Sequence, residues 1–158
     1  VAEYGNNRVQ VLSPDGRPLT SWGSKGHGTT PFSGAAGLAL DGSGNVYVAD
    51  QGNGRILKFS GRGEPSTSWR VGGKGTGAGQ FNTPVGLAVG PDGSVYVTDF
   101  GNNRVQKLSS SGAFLAEWGG KGSGVGEFDR PSGITVDGNG NVYVADTGNN
   151  RVQKLVIR

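Results

Sequence analysis

Four acidic residues recur at one register: Glu3, Asp50, Asp99 and Asp146 precede Arg8, Arg55, Arg104 and Arg151, each by five residues. Carboxylates repeated in this way could do one of two things. Gathered around an axis, they could hold a divalent cation, which takes carboxylate and carbonyl oxygens. Kept apart, each could accept hydrogen bonds from turn amides and from its own or a neighbouring arginine, a charge-assisted pair that pins a hairpin. A single active site has no use for four copies. The pairs Asp50–Arg55, Asp99–Arg104 and Asp146–Arg151 are therefore expected to be framework, and no catalytic residue, metal or other cofactor is assigned.

Other segments invite chemical readings. Asp-Gly-Ser-Gly-Asn at 41–45 and Asp-Gly-Asn-Gly-Asn at 137–141 resemble calcium loops, but the twelfth position counted from Asp137 is Gly148 where a bidentate Glu is needed. Hairpin turns are the expectation there. The glycine-rich stretches at 72–79 and 119–126 look like phosphate cradles, yet glycine follows each lysine and no helix follows whose N-terminus could face an anion. As connectors projecting from one end of the molecule, they place Lys25, Lys74 and Lys121 on a repeated basic rim, the expected partner-facing surface. His27 is the sole histidine, which leaves a Ser-His-Asp triad unsupported and fits an exposed loop position. Trp22, Trp69 and Trp118 could stack nucleic-acid bases, but their even spacing favours burial between repeated units.

These residues need a periodic scaffold to position them. Gly-Asn-Asn-Arg-Val-Gln stands at 5–10, 101–106 and 148–153, and Gly-Asn-Gly-Arg-Ile-Leu at 52–57, so the arginines are 47, 49 and 47 residues apart. A self-similar period of that length marks an array of one supersecondary unit. Within one unit, 84–90 reads as a strand and 91–94, Pro-Asp-Gly-Ser, as a tight turn. Val-Tyr-Val-Thr at 95–98 is a second strand, 99–103 a Gly/Asn turn, 104–108 an alternating third strand, and 113–118 a fourth. No sustained 3.6-residue apolar period exists, so almost no helix is expected. Four antiparallel strands per 40–50 residues describe a β-propeller blade.

Composition agrees. Of 158 residues 32 are glycine, as many short strands joined by tight turns require, and the collagen period is absent. The net charge of +3 comes from scattered lysine and arginine, a mildly basic solvated surface. Cysteine is absent, which excludes disulfides and thiolate metal sites. No apolar run reaches the roughly 18 residues of a membrane-spanning helix.

The units resemble the NHL-repeat family, on Pro-Ser-Gly-Ile-Thr-Val-Asp at 131–137, Gly-Asn-Val-Tyr-Val-Ala-Asp at 140–146 and Thr-Gly-Asn-Asn-Arg-Val-Gln-Lys-Leu at 147–155. The resemblance covers essentially the whole chain and implies an all-β propeller, typically six-bladed, used as an interaction module for proteins or RNA. Related propellers include an amidating lyase that binds zinc through several histidines, a set this chain lacks. About three blades are expected, half of a six-bladed ring: one domain over 1–158, with a partial blade at 1–24, blades at 34–69 and 84–118, and a partial blade at 131–158. Because 1–12 repeats the register of 144–155, the first blade should lack its innermost strand and the last its outermost. Either the chain is a fragment, an excised domain or a processed product, or two copies close a ring head to tail, the last blade of each taking 19–22 of its neighbour as fourth strand. The expected function is a non-catalytic interaction scaffold binding a protein partner through its loop rim. The alternatives are an RNA-binding propeller and a metal-assisted hydrolase or lyase.

Overall fold

The structure, a computed structural model, describes residues 1–23 and 31–157. Among these residues fourteen strands form four antiparallel sheets, each ordered as in sequence. The first blade holds β1 (Ala2–Glu3), β2 (Arg8–Leu12) and β3 (Pro18–Trp22). The second holds β4 (Ala35–Leu40), β5 (Val46–Asp50), β6 (Arg55–Phe59) and β7 (Pro65–Gly72). The third holds β8 (Pro84–Val89), β9 (Val95–Asp99), β10 (Arg104–Leu108) and β11 (Phe114–Gly119). The fourth holds β12 (Pro131–Val136), β13 (Val142–Asp146) and β14 (Arg151–Leu155). First strands of successive blades pack on one another, β4 on β8 and β8 on β12, so these are the inner strands of an open propeller arc.

The local signals that build one blade rebuild the next. Tight turns close the first hairpins. In the second blade the Gly44 amide donates to the Asp41 carbonyl, and the Asp41 carboxylate accepts the Ser43 and Asn45 amides. In the third the turn runs from Gly90 to Gly93, and Asp92 accepts the Ser94 amide. The second hairpin is tighter than a Gly/Asn loop. A single 3-10 turn occupies Gln51–Asn53, Phe100–Asn102 and Thr147–Asn149, and the following residue, Gly54, Asn103 or Asn150, is left-handed. Asparagine tolerates that conformation because its short side chain bonds locally, and glycine because it has no Cβ.

The core lies between blades rather than within one. Tyr47, Ala49, Ile56 and Trp69 on the leading face of the second blade meet Leu87, Val95, Val97 and Leu108 on the trailing face of the third. Phe81, from the connector between them, seals the cluster. Phe32 and Phe128 occupy the equivalent places in the neighbouring clusters. Every residue of β5 and β9 is buried, because these strands are covered on both faces. β13, identical in sequence to β5, alternates between buried and half-buried instead.

Glycine is required where blades meet on the inner side. The backbone bulges between Pro84 and Leu87, and a Cβ on Gly86 would overlap the Ser132 carbonyl oxygen. Gly37 faces the Val85 carbonyl in the same way. Thr98 fastens this contact, donating to the Ser132 carbonyl at 2.6 Å and accepting from the Gly86 amide at 2.7 Å.

Candidate functional site: the connector rim

The repeated acids and arginines come together as a clamp at the end of each blade where the connectors run. In the third blade Asp99 is fully buried at the end of β9. One carboxylate oxygen accepts the Asn82 amide at 2.7 Å. The other accepts Asn102 Nδ2 at 2.8 Å, Arg104 Nε at 2.9 Å and Gln106 Nε2 at 3.4 Å. The far side of the guanidinium donates to the carbonyls of Thr76, Gly77 and Gln80 in the preceding connector. One ion pair thus ties a strand end, a turn and a connector together. Asp146 and Arg151 repeat it, with Nε–Oδ2 at 2.7 Å and carbonyls from Ser123, Gly124 and Glu127. Asp50 and Arg55 pair at 2.6 Å, with Pro31 as the carbonyl acceptor among the described residues. Glu3 and Arg8 pair at 2.8 Å, but this pair is partly exposed.

The motif can now be read residue by residue. Its glycine amide bonds the strand entry, as in Gly101 to the Asn82 carbonyl at 2.7 Å. Its first asparagine feeds the clamp acid and also holds the connector, as Asn102 does through Gly75. Its second asparagine, left-handed, accepts an amide from the next blade: Gly34 to Asn7 at 2.7 Å and Arg130 to Asn103 at 2.8 Å. The arginine is the clamp, and the valine or isoleucine packs forward.

The electrostatics follow from these bonds. Burial pushes the Asp146 carboxyl up, but the Asp129 amide, Asn149, Arg151 and Gln153 together outweigh it and hold the group below the usual carboxylate range. A carboxylate with all its acceptor positions used this way has little left for a cation. In the hairpin turns, burial likewise raises Asp41 and Asp92, and local amides and a lysine override it. The Asp137 acid is lowered chiefly by Asn141. Lys58, Lys107 and Lys154 lie over the rings of Tyr47, Tyr96 and Tyr143 at 4.9, 5.4 and 5.5 Å, a cation–π seat on the flank of each blade.

Among the described residues, the rim holds a pair of equivalent open grooves. Phe100, Gly101, Asn103, Lys121, Asp129 and Arg130 line one of about 450 Å³. Tyr4, Gln51, Gly52, Lys74, Asn82 and Thr83 line the other, of about 360 Å³. Lys74 and Lys121 occupy the same slot in each and are exposed, and among the described residues neither makes an ion pair. Lys25 and His27 lie outside the described residues. Sequence reasoning found these lysines but missed Tyr4, Gln51, Phe100 and Arg130. The first three share one register, the residue after each clamp acid, but their types differ, so no repeat signal marked them. The tryptophans do not form a stacking platform. Trp69 is buried and donates to the Ser110 carbonyl of the next blade at 2.8 Å, while Trp22 and Trp118 are half-buried on the same flank.

The NHL repeat model matches residues 32–59, 81–108 and 128–155. No curated protein sequence gives a significant match. Among solved structures, a streptogramin B lyase superposes with a TM-score of 0.69 at 17% identity, over 98% of this chain and 49% of that one. A virginiamycin B lyase from Staphylococcus aureus, catalytically inactive and bound to quinupristin, gives 0.66 at 16% identity, over 98% of this chain and 50% of the other. The hydrazine synthase of Kuenenia stuttgartiensis gives 0.55 at 19% identity, over 82% and 36%. The chain therefore spans about half the length of the lyases it resembles, and at these identities the likeness is one of fold.

Proposed function

Within the NHL-repeat family, to which this chain belongs, we propose that it acts as a non-catalytic interaction module whose connector rim binds acidic segments of a protein partner. The observation that carries the reading is the contrast on that rim. The repeated carboxylates are consumed by their clamps, whereas Lys74 and Lys121 stand exposed and, among the described residues, without an ion pair in two equivalent grooves beside Tyr4 and Phe100. Arg130, paired with Asp129 at 3.4 Å, is exposed in one of them. Cations flanked by aromatic faces suit carboxylate side chains on an extended segment, and loops on a rigid scaffold are where propellers differ from one another. The 47-residue interval between the two lysines repeats the groove at one blade spacing, so one segment crossing two blades meets both.

Fluorescence anisotropy with a labelled octa-glutamate peptide tests this, alongside a Gly-Ser peptide and a single-stranded RNA of equal length. The acidic peptide should bind, and Lys74→Ala with Lys121→Ala should weaken it at least tenfold while circular dichroism is unchanged. No binding of the acidic peptide, or preferential binding of the RNA through the same lysines, would overturn the proposal.

A further inference from the structure

The two rim grooves share one frame and differ at one pair of residues. In each connector the residue before the inner strand is left-handed, with φ of 81° at Gly34, 65° at Thr83 and 53° at Arg130. In two of the three, its amide donates to the closing asparagine of the preceding motif turn. Gly34 donates to Asn7 at 2.7 Å, and Arg130 to Asn103 at 2.8 Å. The turn ahead of Thr83 carries Gly54 at that position. Glycine has no side chain to accept, and the Thr83 amide makes no hydrogen bond among the described residues. Lys74 runs beside this position, because a Cβ on Gly54 would stand 3.0 Å from Lys74 Cγ.

Threonine is an unfavourable residue for this backbone. A β-branched side chain at positive φ is an outlier, and strain of this kind gathers at ligand-binding positions. The Thr83 carbonyl accepts the Phe100 amide at 3.2 Å, so the frame holds the left-handed turn while the amide stays open. Donors also predominate around it. Lys74 is exposed without an ion pair, and neither Gln51 nor Asn82 donates from its side-chain amide, among the described residues. No acidic residue is among the described residues that line this groove. In the other groove Asp129 pairs with Arg130 at 3.4 Å, and Asn103 has already taken the connector amide. One groove is a set of donors short of an acceptor, and the other is matched internally.

Resting on the rim reading above, we propose that the groove of Lys74 and Thr83 seats one side-chain carboxylate of the acidic segment. One carboxylate oxygen accepts the Thr83 amide, in the role that the asparagine oxygen plays at Asn7 and Asn103. The other faces the Lys74 ammonium, and hydrogen bonds to an ionised acceptor are the strong ones. The fixed amide sets the direction of approach, and the lysine supplies the charge. A neutral asparagine or glutamine side chain satisfies the amide alone, so the seat selects acids over their amides. The Lys121 groove contributes less, because its own Asp129 repels a second carboxylate. Thr83 and Gly54 are therefore the specificity-determining pair, one holding the donor and the other leaving it free.

Amide proton–nitrogen NMR correlation spectra of the 158-residue chain, titrated with N-acetyl-aspartate N-methylamide, test the seat by itself. The Thr83 amide proton should move downfield and saturate while the Arg130 amide stays in place. The matching asparagine derivative should bind roughly fivefold more weakly, having no charge for Lys74. Gly54→Asn supplies the acceptor from within and should abolish the Thr83 response. A Cβ there comes within 2.8 Å of the Phe81 carbonyl oxygen, so the exposed Lys74 gives a second variant. Lys74→Ala should weaken the aspartate derivative roughly fivefold with the remaining spectrum unchanged, and Lys121→Ala less than about twofold. Equal responses of Thr83 and Arg130, or equal binding of acid and amide, would overturn the seat. Octa-glutamate separates the two readings. Peptide binding with Thr83 unmoved overturns the seat alone, whereas a Thr83 response to the small acid without peptide binding overturns the rim reading alone.

Discussion

Val105 and Val152 are the same residue of the same six-residue motif, yet one is fully buried and the other 69% exposed. The middle of the molecule and its last blade are chemically alike and physically different. In the third blade a following sheet covers β9 and β10, supplies Arg130 N–H to Asn103, and presses the Ser132 carbonyl against Gly86. In the fourth blade the same side chains are present without that cover. A propeller repeat is therefore half of an interface, and its stability is shared between neighbours as in other repeat proteins.

The largest difference between the two regions is expected at the clamp. Asp99→Ala removes the buried partner of Arg104 and leaves it only the half-exposed Glu117 carboxylate at 2.7 Å, so the cost approaches the about 3–5 kcal/mol of breaking a buried pair. Glu3→Ala, in the exposed copy of the same position, should leave the urea unfolding midpoint within error. If the two variants unfold alike, the clamp is not what holds the middle blades.

A smaller effect comes from the inner glycines. Gly86→Ala drives a methyl into backbone and should cost about 1–3 kcal/mol or more, the usual range for overpacking. Gly133→Ala meets only ordinary contact distance, so stability of the single chain should not change.

The smallest effect is on pH. The folded Asp146 carboxyl lies below its ordinary value near 3.8. Its contribution to stability is therefore complete above that value and is lost as pH falls through the lower folded one. Denaturation midpoints measured from pH 6 to pH 2.5 should fall at the acid end, and Asp146→Asn should flatten that limb relative to the parent chain. An acid limb of equal slope in both would remove Asp146 from the account.

Much of this architecture follows from the sequence alone, and for a local reason. The Val-Tyr-Val runs, the Asp-Gly turns and the Gly/Asn turns each specify backbone within a few residues, so strands such as 104–108 stand where the pattern put them. Legibility declined wherever the partner was distant in sequence. That Arg104 reaches back to Thr76 and Gln80, 28 and 24 residues away, follows from how a connector folds over the next blade. That Tyr4 and Phe100 border the grooves could not be read from a repeat in which their slot varies.

By itself, then, the sequence determined the repeating unit, its strand order and its turn chemistry, because these depend on spacing and on local conformational preference. Only the tertiary structure decided which carboxylates are saturated, which lysines remain open, and which copy of an identical valine is inside. The physical reason is that burial and hydrogen-bond saturation belong to pairs of blades. A residue carries the capacity for both, and its neighbour determines whether that capacity is used.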